Sequence, residues 1–228
     1  MSPGAAGSLR AMTAGPSDRR YRGMTDAERS EDRRRRLLDA ALDLFATEGY
    51  AGTSIGSLCR AAKVTERHFY DEFGSREQLL RSLYDDIVES AMTEVIEQVL
   101  AAEPTPRARA HAGLGAFLRA MLADPRRARV TGVEAVGVSP EFEQHRRRTL
   151  HTFADFVAQQ AIEMSPQAAA HPERTRRAAI ALVGGVGETV VDQSLAVDPA
   201  PIEQLVVEMA ALYDAAASIT IDRPDTDT

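Results

Sequence analysis

Two short runs of helix-forming residues lie close together between Thr53 and Phe73. A hydroxyl residue precedes each run: Thr53 or Ser54 stands before the first, and Thr65 stands before the second. A hydroxyl oxygen in that position accepts a hydrogen bond from the unpaired backbone N–H groups of a helix's first turn. The sequence therefore predicts two capped helices joined by a short corner.

The second run carries Glu66, Arg67 and His68 on the side that Phe69 and Phe73 leave exposed. A guanidinium can donate to O6 and N7 of guanine together, which discriminates between bases by about 1–3 kcal/mol, and a carboxylate can accept from a cytosine amine. A helix this short is unstable alone in water, so neighbouring helices must hold it. We therefore predict a helix-turn-helix in which Glu66, Arg67 and His68 read base edges in a major groove.

The same stretch resembles the N-terminal domain of the TetR family of transcriptional regulators. With the helix that precedes it, the resemblance covers about residues 33 to 80. It is carried by Ala62-Lys63-Val64-Thr65, Phe69-Tyr70, Phe73, and Ser75-Arg76-Glu77 with Leu79.

The resemblance implies five residues that bind DNA phosphates and three kinds of partner. Thr53, Ser54, Thr65, Tyr70 and Arg76 occupy the phosphate-contacting positions of the family. The implied partners are a double-stranded DNA operator, an unknown small-molecule effector and a second copy of the chain. The implied function is that of a regulator, more often a repressor in this family, that binds a palindromic operator as a homodimer and is released by its effector.

The chain departs from the family pattern at Glu72, where histidine is frequent. Glu72 stands beside Asp71, and carboxylates repel phosphate, so we predict weak non-specific DNA affinity. The net charge is −7, with 13 basic and 12 acidic residues through Leu80 against 14 and 22 beyond it. Only the N-terminal part can approach DNA without an electrostatic penalty, which excludes a protein that coats nucleic acid indiscriminately.

The run Arg33 to Arg36 leads into an apolar helical pattern that ends near Gly49. Near a duplex these arginines could contact phosphates. The alternative is a solvated charged face of the first helix.

Helix formers dominate the chain, and no alternating apolar pattern of strand length is present, so the predicted class is all-α. We predict a three-helix DNA-binding domain at residues 25–74 and a larger helical ligand-binding and dimerisation domain at 75–221. Residues 1–24 are predicted to be a disordered basic arm or a start-site artefact, and residues 222–228 a disordered tail. The sequence lacks a signal peptide and a membrane span, which predicts a cytoplasmic protein.

Prolines that follow a capping residue mark most of the predicted helix starts in the C-terminal part. A long helix is predicted from Ser75 to the break at Pro104. The later helices are predicted at about residues 106–123, 125–137, 140–163, 173–196 and 201–219.

Polar residues inside apolar helical stretches are the candidate effector-pocket residues. A buried carboxylate is costly without a partner, so a ligand could supply that partner. The alternative for each is a salt bridge or a solvent-facing side chain. The candidates are His111, Glu134, His151, Glu188 and Asp192.

Three glycines in one predicted helix require compensation, because each weakens a helix by about 1 kcal/mol relative to alanine. Close approach of another helix across a twofold axis would supply it. Packing within one subunit is the alternative. The candidate dimer-interface residues are Gly184, Gly185, Gly187, Leu205, Met209 and Leu212.

No catalytic motif is recognisable in the sequence. The Glu-x-x-His pairs, the His-Glu-x-x-His motif, Gly-rich phosphate loops and nucleophile elbows are absent, so we predict no enzyme, no metal and no cofactor. The single cysteine, Cys59, lies on an apolar helix face and is predicted to pack in the core. The alternative functions are a helical protein-binding adaptor and a small-molecule-binding protein that does not read DNA.

Overall fold

The computed structural model describes residues 25–221, with side chains through residue 215. Within this part of the chain the backbone forms α-helices and no β-strand, which confirms the all-α class. The predicted arm at 1–24 and tail at 222–228 lie outside the described residues. The helices are α1 Asp26–Glu48, α2 Ile55–Ala62, α3 Glu66–Phe73, α4 Arg76–Ala101, α5 Pro106–Leu122, α6 Pro125–Arg129, α7 Pro140–Met164, α8 Pro166–Ala170, α9 Pro172–Leu195 and α10 Ile202–Ile221.

The predicted helices of the C-terminal part are confirmed as α5, α6, α7, α9 and α10, with small shifts of their ends. The helix predicted after α5 is divided, because α6 continues as a π-helical turn over Val130–Glu134. The short helix α8 is an addition to the prediction. Ser165 both ends α7 and caps α8 by accepting from the N–H of Ala168 at 3.3 Å, so one residue serves two helices.

Ser54, not Thr53, caps α2. The Ser54 hydroxyl oxygen accepts from the N–H of Ser57 at 3.0 Å. Thr53 is fully buried, and its hydroxyl donates to the carbonyl oxygen of Gly49 at 2.8 Å. Thr53 therefore closes the loop between α1 and α2 from the inside.

One apolar core runs from the N-terminal helices into the C-terminal part of the chain. Leu58 and Phe69 of the helix-turn-helix belong to the same buried cluster as Leu83 of α4, Leu118 of α5 and Phe142 of α7. The predicted domain boundary at residues 74/75 falls between α3 and α4, and the core continues across it. The long helix α4 is therefore packed against both parts.

Cys59 is buried in this core, as its helix face predicts. Burial raises the pKa of the Cys59 thiol, so the thiol stays protonated and has little reactivity. No helix in the described part of the chain is both long enough and apolar enough to cross a membrane.

Candidate nucleic-acid interface and effector cavity

The corner between α2 and α3 brings the two helices into helix-turn-helix geometry. Lys63 occupies this corner with φ 55° and ψ 45°, the left-handed conformation. The N–H of Val64 donates to the carbonyl oxygen of Cys59 at 2.9 Å. Arg36 of α1 donates from Nη1 to the carbonyl oxygens of Ala62 at 3.0 Å and Lys63 at 3.3 Å, which ties the corner to α1.

The first turn of α3 faces solvent with the three predicted base-reading residues. Glu66, Arg67 and His68 are all exposed, whereas Phe69 on the other side of the helix is fully buried. The hydroxyl of Thr65 caps the helix and lies 3.0 Å from Nδ1 of His68, so the imidazole is held close to the cap. Glu66 and Arg67 are accessible to a partner surface.

The arginine run of α1 packs against the rest of the N-terminal domain. Arg34 stacks over the ring of Phe73 at 4.8 Å from its centroid, and Arg33 lies 3.5 Å from a carboxylate oxygen of Glu72. Arg35 pairs with an acidic residue one turn earlier on α1. Arg33 and Arg34 therefore brace α1 against α3, whereas Arg35 stays exposed on α1.

Glu72 points towards α1 and away from the exposed edge of α3. Its carboxylate accepts a hydrogen bond from Ser30 and pairs with Arg33, and its side chain is 15% exposed. Arg33 offsets the charge of Glu72, whereas Asp71 is exposed, and the weak non-specific DNA affinity stays a prediction.

Three of the predicted phosphate-binding residues are accessible. Ser54 and Thr65 present their capping hydroxyls at the starts of α2 and α3, and Tyr70 is 52% exposed. Their roles stay predictions. The hydroxyl groups of Ser54 and Thr65 and the phenol of Tyr70 lie on the same small helix pair as Arg67.

The other two predicted phosphate-binding residues are used internally. Thr53 is 0% exposed, so its hydroxyl cannot reach a phosphate. Arg76 donates to the backbone carbonyl of Thr53, and its guanidinium stacks over the ring of Tyr50 at 4.4 Å from the centroid. The family resemblance predicts Arg76 as a phosphate-binding residue, and it does not predict these contacts with Thr53 and Tyr50.

A second candidate site is a cavity between α4, α5, α7, α9 and α10. Its empty space, including the open mouth, is ≈ 750 Å³. Nearly all of its wall is apolar or aromatic. The lining residues are Val95, Val99, Pro106, Arg109, Ala110, Gly113, Leu114, Phe117, Phe153, Phe156, Val157, Gln160, Ala161, Met164, Leu182, Val183, Val186 and Tyr213.

Arg109, Gln160 and Tyr213 supply the polar side chains of this cavity, and none of them is among the sequence-predicted pocket residues. A usable signal is present on α5, where Pro106, Arg109, Ala110, Gly113 and Phe117 recur at helical spacing and place one cation on an apolar face.

Residues 37–83 match the family model described as bacterial regulatory proteins, tetR family. This match spans the C-terminal half of α1, the whole helix-turn-helix and the start of α4. Residues 37–83 are therefore a DNA-binding domain of the TetR family.

The relatives of this chain include HTH-type transcriptional regulator EthR of Mycolicibacterium smegmatis. The two are 31% identical over 134 residues, which is 58% of this chain and 61% of EthR. The chain thus aligns with less than two thirds of the length of that relative.

Two solved structures share the fold of this chain. FadR from Bacillus subtilis, in complex with stearoyl-CoA, has a TM-score of 0.63 and 18% identity, covering 82% of this chain and 97% of FadR. AibR, in complex with isovaleryl coenzyme A and operator DNA, has a TM-score of 0.64 and 19% identity, covering 79% of this chain and 97% of AibR.

All five predicted effector-pocket residues lie outside the cavity lining. Glu188 and Asp192 are exposed on α9, because each faces away from the core. His151 lies 3.2 Å from Arg176, so it joins α7 to α9. His111 is partly buried on α5, on a face that does not border the cavity.

Glu134, the fifth predicted pocket residue, links the C-terminal part to the N-terminal domain. One of its carboxylate oxygens accepts from the backbone N–H of Tyr50 at 2.8 Å, and the other lies 3.5 Å from Arg129. Asp43 of α1 and Arg126 of α6 form a second link between the same two parts of the chain. The apolar sequence around Glu134 conceals this role, since its partner is a backbone group 84 residues away.

The candidate dimer residues divide into two groups. A Cβ atom added at Gly184, Gly185 or Gly187 would meet nothing within 4 Å, so no described neighbour packs there. Leu212 is 66% exposed. The remaining two candidates, Leu205 and Met209, are wrong, because both are buried within the subunit.

Proposed function

We propose that this chain is a TetR-family, sequence-specific DNA-binding transcriptional regulator, and specifically a repressor that an effector releases from its operator. The observation that carries the proposal is the exposed first turn of α3. Arg67 and its neighbours Glu66 and His68 face solvent, while Phe69 and Phe73 fix the opposite side in the core. A helix held rigidly in this way can place a guanidinium against base edges in a major groove.

Reading an operator with useful affinity requires two copies of the chain. One short helix contacts few bases, and a twofold dimer reads two half-sites one helical turn or more apart, which makes the operator palindromic. The surface that we assign to the dimer is the outer side of α9 and α10, where Ala178, Ala181 and Gly185 leave room for close approach. Val207 and Leu212 add exposed apolar side chains beside them.

The effector that we propose is a small molecule with an apolar body, bound in the cavity between α4 and α10. FadR and AibR are each described in complex with an acyl-CoA. Val95 and Val99 of α4 line the cavity, and Leu79 and Leu83 of the same helix pack in the core of the N-terminal domain. A shift of α4 on effector binding would therefore move α3.

Opposed effects of DNA and effector then follow from linkage. DNA favours one spacing of the two α3 helices in the dimer, and the effector favours another. The effector therefore weakens DNA binding, and DNA weakens effector binding by the same factor. The contacts of Glu134 with Tyr50 and of Arg126 with Asp43 give α6 and its π-helical turn a second route to α1.

Selection of bound fragments from a random duplex pool tests the DNA-reading function. We expect a palindrome with half-sites related by a twofold axis. A protein-binding adaptor, or a small-molecule-binding protein without DNA reading, would return no preferred sequence, and Arg67→Ala would leave its activity unchanged.

Gly185→Arg is expected to convert the dimer to a monomer. Gly185 is exposed and no described atom lies near its would-be Cβ, so one subunit accommodates the arginine, whereas two copies facing each other there do not. Analytical ultracentrifugation at micromolar concentration measures the change, with far-UV circular dichroism as a check on the fold. Thr152→Arg, at an exposed position of α7, is the control and should leave the dimer intact. A Gly185→Arg protein that sediments as a dimer would contradict the assigned surface.

A further inference from the structure

Arg109 has a charge that its surroundings leave unbalanced. It lies on α5 at the wall of a cavity that is otherwise almost entirely apolar. Its Nη1 donates to Oε1 of Gln160 at 2.7 Å, and its Nε is buried without a hydrogen-bond acceptor. Within the described part of the chain, no carboxylate forms an ion pair with it. A partly buried cation without an anion is costly, so this site is electrostatically incomplete when empty.

Gln160 accepts a hydrogen bond from the Arg109 guanidinium but carries no charge that would neutralise it. The amide nitrogen of Gln160 lies 3.3 Å from a carboxylate oxygen of Glu163, an exposed residue one turn further along α7. The amide oxygen is thereby directed at Arg109. One guanidinium nitrogen is engaged, and the remaining N–H groups of the planar fork are available to an oxyanion.

Arg109 and Gln160 lie at one end of the cavity, and a pair of aromatic rings lies further along it. Helices α5 and α7 run antiparallel, because Arg109 contacts Gln160 whereas Phe117 contacts Phe153, with ring centroids 5.7 Å apart. Eight residues of α5 separate Arg109 from Phe117, which corresponds to about 12 Å at a rise of about 1.5 Å per residue. The cavity therefore has a polar end and an apolar end.

Tyr213 of α10 belongs to the polar end. The next residue, Asp214, lies 3.6 Å from Arg107 of α5, which places Tyr213 near the level of Arg109. Burial and the Asp214 carboxylate raise the pKa of the Tyr213 phenol, so the hydroxyl stays protonated and can donate to a ligand oxygen. Two donor groups, a guanidinium and a phenol, thus serve one end of an apolar cavity.

We infer that the effector is an acyl molecule whose head carries an oxyanion, with the head at Arg109 and the tail directed towards Phe117 and Phe153. The distance between the two ends accommodates a tail of about ten carbons, given C–C bonds of about 1.5 Å in an extended zigzag. A neutral or cationic head would leave Arg109 unpaired. This inference rests on the proposed effector site, and it adds the charge, the orientation and the approximate length of the ligand.

Two kinds of acyl molecule carry oxyanions: a free carboxylate has them at the end of the acyl tail, and a coenzyme A thioester has them on the phosphates beyond its pantetheine arm. Isothermal titration of the full chain, without DNA, with decanoate, decanoyl-CoA and decanol separates these cases. We expect the better of the two anionic probes to bind at least tenfold more tightly than decanol, because a charge-assisted bidentate pair is stronger than a neutral hydrogen bond. Whichever anionic probe binds more tightly identifies the source of the head group.

Arg109→Met is expected to remove this preference, so that the anionic probes and decanol bind within about threefold of one another. Arg109→Gln is the second variant should the methionine variant fail to fold, with the same expected loss. Arg119→Met is the matched control, because Arg119 is exposed ten residues further along α5 and does not line the cavity. It should retain the preference of the unchanged chain.

Three results would overturn the inference. The unchanged chain could bind decanol as tightly as the anionic probes, or it could bind none of the three probes. The third result is a preference for anionic probes that survives the loss of Arg109. These titrations contain no DNA, so they are independent of the DNA-reading function. If the chain selects a palindrome but shows no preference for anionic probes, the proposed regulator function is supported and the head-group assignment is wrong.

Discussion

Phe69→Ala is expected to lower the free energy of unfolding by about 3–5 kcal/mol and to abolish operator binding at ordinary protein concentrations. Phe69 is fully buried and contacts Phe73 and Tyr70, with ring centroids 6.2 and 5.5 Å away. It attaches α3 to the core that Leu58 and α4 complete. Removal of the aromatic ring leaves a cavity beneath α3, the recognition helix. This helix is too short to stay ordered without the contact that Phe69 makes.

Urea unfolding followed by far-UV circular dichroism measures the stability loss, since the chain contains no tryptophan for fluorescence. Tyr70→Phe is the matched control on the next residue. Tyr70 is 52% exposed, so the loss of its hydroxyl should change stability by less than about 0.5 kcal/mol. It should weaken binding to all DNA sequences alike, because a phosphate contact carries no base information. A Phe69→Ala protein with unchanged stability and operator affinity would show that α3 is not held by this ring.

Gly132→Ala is expected to destabilise the chain by about 1–3 kcal/mol, as inserting a methyl group into a filled space does. Gly132 lies in the π-helical turn that follows α6, and a Cβ added there would lie 2.2 Å from Cγ2 of Val191 on α9. Val191 is β-branched, so it has little rotamer freedom with which to move aside. Either α9 or the turn must shift, and the turn carries Glu134 with its contact to Tyr50.

Val191→Ala supplies the matched test of this close contact. Alone, it should cost about 1 kcal/mol. In the double variant, the space that the valine side chain leaves accepts the methyl group of Gly132→Ala. The loss of stability should therefore be smaller than the sum of the two single losses by at least about 1 kcal/mol. Additive losses in a urea unfolding series would mean that Gly132 is needed for a reason other than its approach to Val191.

The fold follows from local sequence signals because most helices begin at a capping hydroxyl or at a capping residue before proline. Thr25 with Glu28, Ser54, Thr65 and Ser75 cap the first four helices through their own side chains. These signals act over three residues, so a single sequence contains them in full. Helix α8 follows the same rule at Ser165, within a linker too short to stand out.

The functional residues are harder to predict, because their roles depend on partners distant in sequence. Exposure of Glu66, Arg67 and His68 follows from helical periodicity. Burial of Thr53 does not, since its hydroxyl competes with that of Ser54 for the same cap and the choice depends on the loop closed at Gly49.

The effector-pocket residues were predicted from polarity within apolar sequence, and that criterion selects the wrong residues here. It selects Glu134, whose partner is the backbone of the N-terminal domain. It overlooks Arg109, because arginines are common on α5 and its neighbours, and only the packing of α7 shows which one faces the cavity. Helical register relative to a neighbouring helix, not local composition, decides such a site.

The binding preference of Arg67→Ala tests most directly whether the first turn of α3 reads base edges. Fluorescence anisotropy at one fixed salt concentration compares the selected palindrome with duplexes that change one base pair in each half-site. We expect the unchanged chain to lose about 1–3 kcal/mol of binding free energy per altered contact. Arg67→Ala should erase this loss at one position of each half-site and keep it at the others. An Arg67→Ala protein that retains every base preference, or that weakens all duplexes equally, would contradict base reading by α3.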